Sequence, residues 1–276
     1  MAYLSERKKI SVQTIVNRKA KGVPVTVLTA YDYFVAGLLD RAGIDIILVG
    51  DSASNVIHGH GSTIPITMDV MVAHTAAVSR GTEAALVVAD MPFMSFQPSI
   101  ETAVSNAGRF LKEGGAEAVK IEGGIEMVDT VKRVIECGIP VMAHIGLTPQ
   151  SIHRFGGPRI QGRKKKSQSY LKESALALEE AGCFSMVLEL MDRQVAAEIT
   201  SSLKTCATIG IGAGPDCDGQ VLVINDILGL SEEGFKPKFL RQYADLPPII
   251  SKAVEQYIED VKSGDYPNDE ESYTDK

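Results

Sequence analysis

The sequence predicts an α/β protein of the (β/α)8 (TIM) barrel class, one domain over residues 1–276, with a helical segment at 1–22 and a polar tail at 264–276. Three observations predict it. Short apolar runs without polar alternation recur eight times, as parallel strands covered on both faces require. Amphipathic stretches at helical spacing separate them, and such an alternation builds a parallel sheet wrapped in helices. Four of the runs end on a carboxylate, and in closed parallel barrels the C-terminal strand ends share one ligand-binding mouth. A barrel of this kind takes roughly 250 residues, so the length fits one unit.

The elements follow in order. Val12, Ile15 and Val16 share one face of an N-terminal helix that breaks at Lys21 and Gly22 and plugs or flanks the barrel. Pro24–Ala30 (PVTVLTA) is the first strand, with Tyr31 and Asp32 at its exit. Phe34, Leu38 and Leu39 form a helix ended by Gly43. The second strand lies in Ile44–Ser52 (IDIILVGDS). There Gly50 permits a tight turn or a close ligand approach, and Asp51 and Ser52 follow at the strand's edge. The long loop after it carries Asn55, His58, His60 and Pro65, anchored by Val56, Ile57 and Ile64, and loops of this length are usually functional or disordered. Thr67 caps a helix through Val78 that stops at Gly81.

ALVVADMPF is the third strand, reaching Asp90. Pro98 and Ser99 open a helix to Lys112, and Gly114 and Gly115 close it. EAVKIEGG is the fourth strand, bearing Lys120 and Glu122, and Ile125, Val128, Val131 and Ile135 pattern the next helix. IPVMAHIG is the fifth strand, ending near His144. Thr148 and Pro149 start a helical turn, a basic loop runs to Lys166, and Leu171, Ala175 and Leu178 return to helix. CFSMVLE is the sixth strand, ending on Glu189, and Asp192 caps a helix through Leu203. ATIGIGAG and VLVIND (221–226) are the seventh and eighth strands. Ile250, Val254, Tyr257, Ile258 and Val261 pattern a closing helix, and the acidic stretch from Gly264 reads as a solvated tail.

A hydrophobic fraction of 45% with 23% charged residues is ordinary for a globular protein with a full core. The net charge of -7 supplies no field for nucleic acid or an anionic membrane surface, which leaves a small molecule as the expected partner. Cys137, Cys183, Cys206 and Cys217 form no C-x-x-C pair, in keeping with a reducing compartment. Met1–Val23 has no apolar segment after Arg7–Lys9, and no run reaches the ~18 apolar residues of a membrane span. A cytoplasmic location is expected.

The chemistry is carried by Asp51, Asp90, Glu122 and Glu189, which a closed barrel brings to one mouth. Carboxylates gathered this way raise one another's pKa, a cost that a bound divalent cation removes. Oxygen donors favour Mg2+, whereas zinc would call for more histidine or cysteine. Asp51 and Asp90 are the candidate ligands, and His144 reads as a hydrogen-bonded residue that orients a neighbour. Lys120 and Glu122, two apart, point to the same face of their strand. They either meet the ligand or form an internal ion pair, and Gly123 and Gly124 after them suggest backbone close to a ligand. Glu189, at the end of an apolar strand, is the candidate general base. His58 and His60 form an H-x-H pair that is a minority candidate for a metal site. Gly210, Gly212 and Gly214 lack dinucleotide spacing and fit a loop lining the mouth.

The motifs LTAYDY (28–33), LVGDS (48–52), ADMPF (89–93), VKIEGG (119–124), HIGLTPQS (144–151), VLE (187–189), IGIGAG (209–214) and PKF (237–239) together resemble the ketopantoate hydroxymethyltransferase family. The resemblance implies a barrel of the phosphoenolpyruvate/pyruvate superfamily. It implies transfer of a hydroxymethyl group from 5,10-methylenetetrahydrofolate to 3-methyl-2-oxobutanoate through a metal-stabilised enolate, giving 2-dehydropantoate for pantothenate and coenzyme A. By the same likeness Asp51, Asp90 and Glu122 hold Mg2+, Asp51, Ser52, Asp90 and Lys120 hold the keto acid, and Glu189 is the proton acceptor. A homodecamer is the implied assembly. Asn225 departs from the histidine that many relatives place before the aspartate. The competing readings are another Mg2+-dependent 2-oxo acid lyase of the superfamily and a non-catalytic metabolite-binding barrel.

Overall fold

The computed structural model describes residues 7–231 and 237–273. Strands β1 (Val25–Thr29), β2 (Ile46–Val49), β3 (Leu86–Asp90), β4 (Ala118–Glu122), β5 (Val141–Gly146), β6 (Ser185–Glu189), β7 (Ala207–Ile211) and β8 (Gly219–Leu222) close into a parallel barrel in sequence order, with β8 pairing back to β1. Every position of β2, β3, β4 and β5 is buried, so these strands are mostly apolar, and the polar residues they carry, Asp90, Lys120, Glu122 and His144, are themselves buried.

The helices are α1 (Val12–Lys21), α2 (Tyr33–Ala42), α3 (Ala53–Val56), α4 (Met68–Arg80), α5 (Ile100–Lys112), α6 (Val128–Glu136), α7 (Ile152–Phe155), α8 (Lys165–Glu180), α9 (Arg193–Ser202), α10 (Ile224–Ile227) and α11 (Pro247–Ser263). Asp32, Thr67, Ser99 and Asp192 each accept a first-turn backbone N–H, so these starts are set by side chains visible in the sequence.

Three expectations needed correction. The eighth strand lies earlier than 221–226. Pairing with β1 begins at Gly219, where a Cβ would sit 2.3 Å from Val25 O, and only glycine admits that approach. The ladder then ends because the Ile224 N–H donates to the Thr29 hydroxyl at 3.0 Å, and Ile224–Ile227 turns helical. The basic segment is not loop as far as Lys166, since α8 starts at Lys165. The loop after β2 contains α3.

One apolar cluster fills the lower barrel. It joins Ile10 and Ile15 to strand residues that include Val25, Ile46, Leu86, Ala118, Phe184 and Ala207, with Val12 and Val16 packed against it. The N-terminal helix therefore plugs the end opposite the strands' C-termini. Ile15 is fully buried there. Ile15→Ala is expected to cost about 2–5 kcal/mol through lost transfer energy and a residual cavity, read as a lower urea or thermal midpoint.

By packing, the chain divides into a unit ending at Ile224 and a second from Asn225. The second unit contains α11, none of whose residues is buried. Its patterned residues Ile250, Val254, Tyr257, Ile258 and Val261 are all exposed.

Candidate active site

Neighbouring strands deliver the chemistry in register. Asp90 lies beside Lys120, Glu122 beside His144, and Gly146 beside Glu189. At Gly146 (φ 100°) a Cβ would lie 2.2 Å from Glu189 O, so glycine is what lets β6 approach and bring Glu189 to the mouth.

The side chains form a connected cluster. The Asp51 N–H donates to Asp90 Oδ2 at 3.0 Å, and Lys120 Nζ stands 3.0 Å from Asp90 Oδ1. Lys120 Nζ is also 3.3 Å from His144 Nδ1. That nitrogen faces Glu122 Oε1 at 3.4 Å, and His144 Nε2 faces Glu189 Oε2 at 3.1 Å. Asp51, Asp90, Lys120, Glu122 and His144 are buried, while the Glu189 side chain keeps 19% exposure. Ser52 Oγ is hydrogen-bonded to the Tyr31 hydroxyl at 2.8 Å. All seven expected site residues thus come to one strand-end region.

Gln150 carries no charge and went unassigned in the sequence, although it lies within a recognised motif. Its Nε2 donates to Asp51 Oδ2 at 3.0 Å and to Met91 O at 2.9 Å, and its N–H donates to Glu122 Oε2 at 3.1 Å. Gln97 Nε2 donates in turn to Gln150 Oε1 at 3.1 Å. One residue therefore spaces two carboxylates, Asp51 through its side-chain amide and Glu122 through its backbone N–H. A polar residue in a turn gives no periodic signal, so only the folded arrangement reveals it.

Two glycine readings change. A Cβ on Gly124 would strike the Tyr170 hydroxyl at 2.4 Å, and one on Gly123 would strike Met127 Cγ at 2.4 Å. These glycines answer to protein packing, although both line a cavity of about 250 Å3 that also has Glu122, Gly146, Gln150 and Arg154 in its wall. The H-x-H pair does not join the carboxylates through any contact seen here. His58 Nε2 lies 3.0 Å from His74 Nε2 on α4, and His74 Nδ1 donates to Tyr31 O.

The electrostatics follow from burial and crowding. Burial first, then the Asp90 and Glu122 charges, push Asp51 up to about 8, against the opposing pull of Lys120 and Gln150. Burial works against ionisation of Glu122, yet its bond to His144, the charges of His144 and Lys120, and the Gln150 N–H hold it below the usual range. For Lys120 burial is outweighed by Asp90, Glu122 and Asp51, and the ammonium is held above its ordinary value. Burial and Lys120 lower His144, but Glu122 and Glu189 outweigh them and raise it to about 9.

These residues fit a hard divalent cation. Asp90 Oδ1 and Glu122 Oε1 are buried, and their neighbours are the cationic groups of Lys120 at 3.0 Å and His144 at 3.4 Å. Asp51 is a carboxyl that loses its proton near neutrality only with added positive charge. Among the described residues no three of His, Cys, Asp and Glu are drawn into a ready coordination shell. A cation that takes one or two protein carboxylates and fills its shell with water or substrate oxygens suits this arrangement better than one needing a protein cage.

Gln150→Leu is expected to cost about 1–3 kcal/mol by leaving Asp51 and Met91 O without their donor. It should also weaken divalent-cation binding at neutral pH, because the amide that helps ionise Asp51 is gone. Urea unfolding and calorimetric titration with Mg2+ would check the two effects.

The sequence pattern of the ketopantoate hydroxymethyltransferase family matches residues 9–269. The chain is similar to the 3-methyl-2-oxobutanoate hydroxymethyltransferase of Trichlorobacter lovleyi, with 55% identity over 97% of this chain and 100% of the relative. It is also similar to that of Pelobacter propionicus, with 53% identity over 97% and 98%. Among solved structures, the barrel resembles a phosphonopyruvate hydrolase complexed with oxalate and Mg2+ (TM-score 0.60, 13% identity, 94% of this chain and 92% of that one). A 2,3-dimethylmalate lyase of the PEP mutase/isocitrate lyase superfamily is likewise similar (TM-score 0.58, 15% identity, 95% and 91%).

Proposed function

The chain belongs to the ketopantoate hydroxymethyltransferase family, and from that premise we propose how the barrel mouth performs the family's reaction. The protein is a 3-methyl-2-oxobutanoate hydroxymethyltransferase, forming 2-dehydropantoate for pantothenate synthesis. The one-carbon donor is 5,10-methylenetetrahydrofolate. The observation that carries the chemistry is a buried ammonium among buried carboxylates, with one further carboxylate, Glu189, at the more exposed edge.

Asp51 and Asp90 would hold Mg2+, with Glu122 completing the set, and the bound ion would supply positive charge to the oxygens of the keto acid. Lys120 neutralises further charge as it develops there, and Ser52 contributes a hydroxyl beside Asp51. Glu189 takes the C3 proton of the keto acid. His144 bridges Glu122 and Glu189, fixing the base where the substrate's C3 would lie. The deprotonated C3 then bonds to the one-carbon unit, and both C–N bonds of the folate's methylene bridge break. Water supplies the hydroxyl, and its other proton together with the one taken from C3 passes to N5 and N10 of the released tetrahydrofolate. The low-dielectric burial of Lys120 makes its charge worth more than it would be in water.

The test is deuterium exchange at C3 of 3-methyl-2-oxobutanoate in D2O, followed by NMR with and without Mg2+, before and after adding methylenetetrahydrofolate. Mg2+-dependent exchange, followed by folate-dependent 2-dehydropantoate, is the expected result. Exchange without that product would refute the acceptor, and no exchange in protein that binds Mg2+ and the keto acid would refute the mechanism.

The proposal includes a homo-oligomer, a decamer by family likeness. In its support, the 17-residue helix α11 carries an exposed apolar face of Ile250, Val254, Tyr257, Ile258 and Val261, which a second copy would cover. A monomeric mass by light scattering at micromolar concentration would overturn it. Among the described residues no helix is long and apolar enough to cross a membrane, and a cytoplasmic location completes the proposal.

A further inference from the structure

The cavity beside the carboxylates shares Arg154 and Phe155 with a second and larger one, about 650 Å3, built by the segment between α7 and α8. The charged residues of its wall are Arg154, Arg159, Arg163 and Lys164, with no aspartate or glutamate among them. All four are exposed. Lys165 and Lys166 continue the charge into the first turn of α8, which contains no acidic residue. On a chain of net charge -7 this is a local reversal of field beside the catalytic mouth. Among the described residues, ion pairs engage Lys172 with Glu198 and Arg193 with Asp216, and these four take part in none. Arg154 also faces a carboxylate, that of Glu126 on the catalytic side.

The keto acid gives this patch no work. It has a single carboxylate, and the cluster around Lys120 already provides for it. The folate co-substrate is different, because its far end is a glutamate and folates are commonly extended by further γ-linked glutamates, each adding a carboxylate. A row of carboxylates on a flexible chain is what exposed guanidinium forks and an ammonium along a groove can read.

We propose that the cavity between α7 and α8 is the subsite for the polyglutamate tail of the folate co-substrate, with Arg159, Arg163 and Lys164 as its carboxylate partners and Arg154 at the junction with the catalytic cavity. The assignment rests on the proposed function. Because the side chains are solvated, each contact is weak and screened by salt, and the effect grows with tail length. It shows as discrimination between folates of different length.

The experiment measures KM of the Mg2+-loaded enzyme for 5,10-methylenetetrahydrofolate as monoglutamate and as triglutamate. The expected KM ratio is about tenfold in favour of the triglutamate at low salt, falling toward one in 0.5 M NaCl. R159Q/R163Q should bring the ratio close to one at low salt, whereas R159K/R163K should keep most of it, with circular dichroism verifying that both variants fold. A wild-type ratio of one, or an undiminished ratio in R159Q/R163Q, would overturn the subsite. Inorganic pyrophosphate and a tri-γ-glutamate peptide separate phosphate from carboxylate recognition. Competition by the peptide supports the tail, and inhibition by pyrophosphate alone assigns the patch to a phosphate and overturns it. Product with equal KM values rejects only the subsite, while no product with either folate rejects the proposed function itself.

Discussion

In Glu189→Gln, C3 proton exchange of 3-methyl-2-oxobutanoate is expected to fall by about a thousandfold and 2-dehydropantoate formation with it, while Mg2+ and keto acid binding persist. The substitution keeps the shape of the side chain and an oxygen for the 3.1 Å contact with His144, and removes only the basic charge. The choice of Glu189 over the other carboxylates is physical. Asp51 is pushed up by burial and its acidic neighbours, Asp90 is engaged with Lys120 and the Asp51 N–H, and Glu122 is committed to His144 and the Gln150 N–H. Glu189 alone of the four retains partial exposure and a single such partner. NMR exchange in D2O together with calorimetry of Mg2+ and keto acid would decide it. Exchange at the wild-type rate moves the base elsewhere. Loss of exchange accompanied by loss of keto acid binding makes Glu189 a binding residue instead.

The second large effect separates stability from cation binding. Asp51→Asn is expected to weaken Mg2+ binding by at least about a hundredfold and to abolish turnover, yet leave cation-free protein at pH 7 close to wild-type stability. Asp51 titrates at about 8 in the cation-free fold, so at pH 7 it is mostly the neutral acid, which asparagine imitates in shape and in accepting from Gln150. The pH dependence follows with a definite sign. The folded pKa lies above the ordinary aspartate value of 3.8, so the native state binds more protons between these values and wild-type stability in EDTA falls as pH rises from about 4 to about 8. The slope approaches about 1.4 kcal/mol per pH unit at most for one proton. Asp51→Asn should flatten that slope, and Mg2+ should restore wild-type stability at pH 9. Its affinity for wild type should rise up to tenfold per pH unit below 8 and level off above, because the proton and the cation compete for the carboxylate. Urea unfolding from pH 5 to 9, with EDTA or Mg2+, measures this. Equal slopes in the two proteins would exclude Asp51 as the titrating group.

Much of the site was legible because strand ends are local features. Asp51, Asp90, Glu122 and Glu189 each follow an apolar run, and the eight runs count out a barrel whose closure brings those ends together. Helix starts at Thr67, Ser99 and Asp192 were legible for a similar reason, since these residues cap by bonds that span only a few residues, while the cap at Asp32 was read only as a strand exit. The eighth strand was misplaced because its limits are set by β1. Gly219 pairs with Val25, and the Thr29 hydroxyl ends the ladder at Ile224, neither of which is written in the run VLVIND.

The fold class, the family and the carboxylates at the strand ends are readable in the sequence, because periodicity, capping and motif order are properties of neighbours along the chain. How those residues meet one another is set by the folded barrel. It placed Lys120 between Asp90 and His144, made His144 a bridge between Glu122 and Glu189, and set Gln150 against Asp51 from 99 residues away. Such contacts depend on which strand ends face each other and how deeply they are buried. Burial and proximity to other charges are what make Asp51 a neutral acid without a cation, and neither is a property of the residue alone.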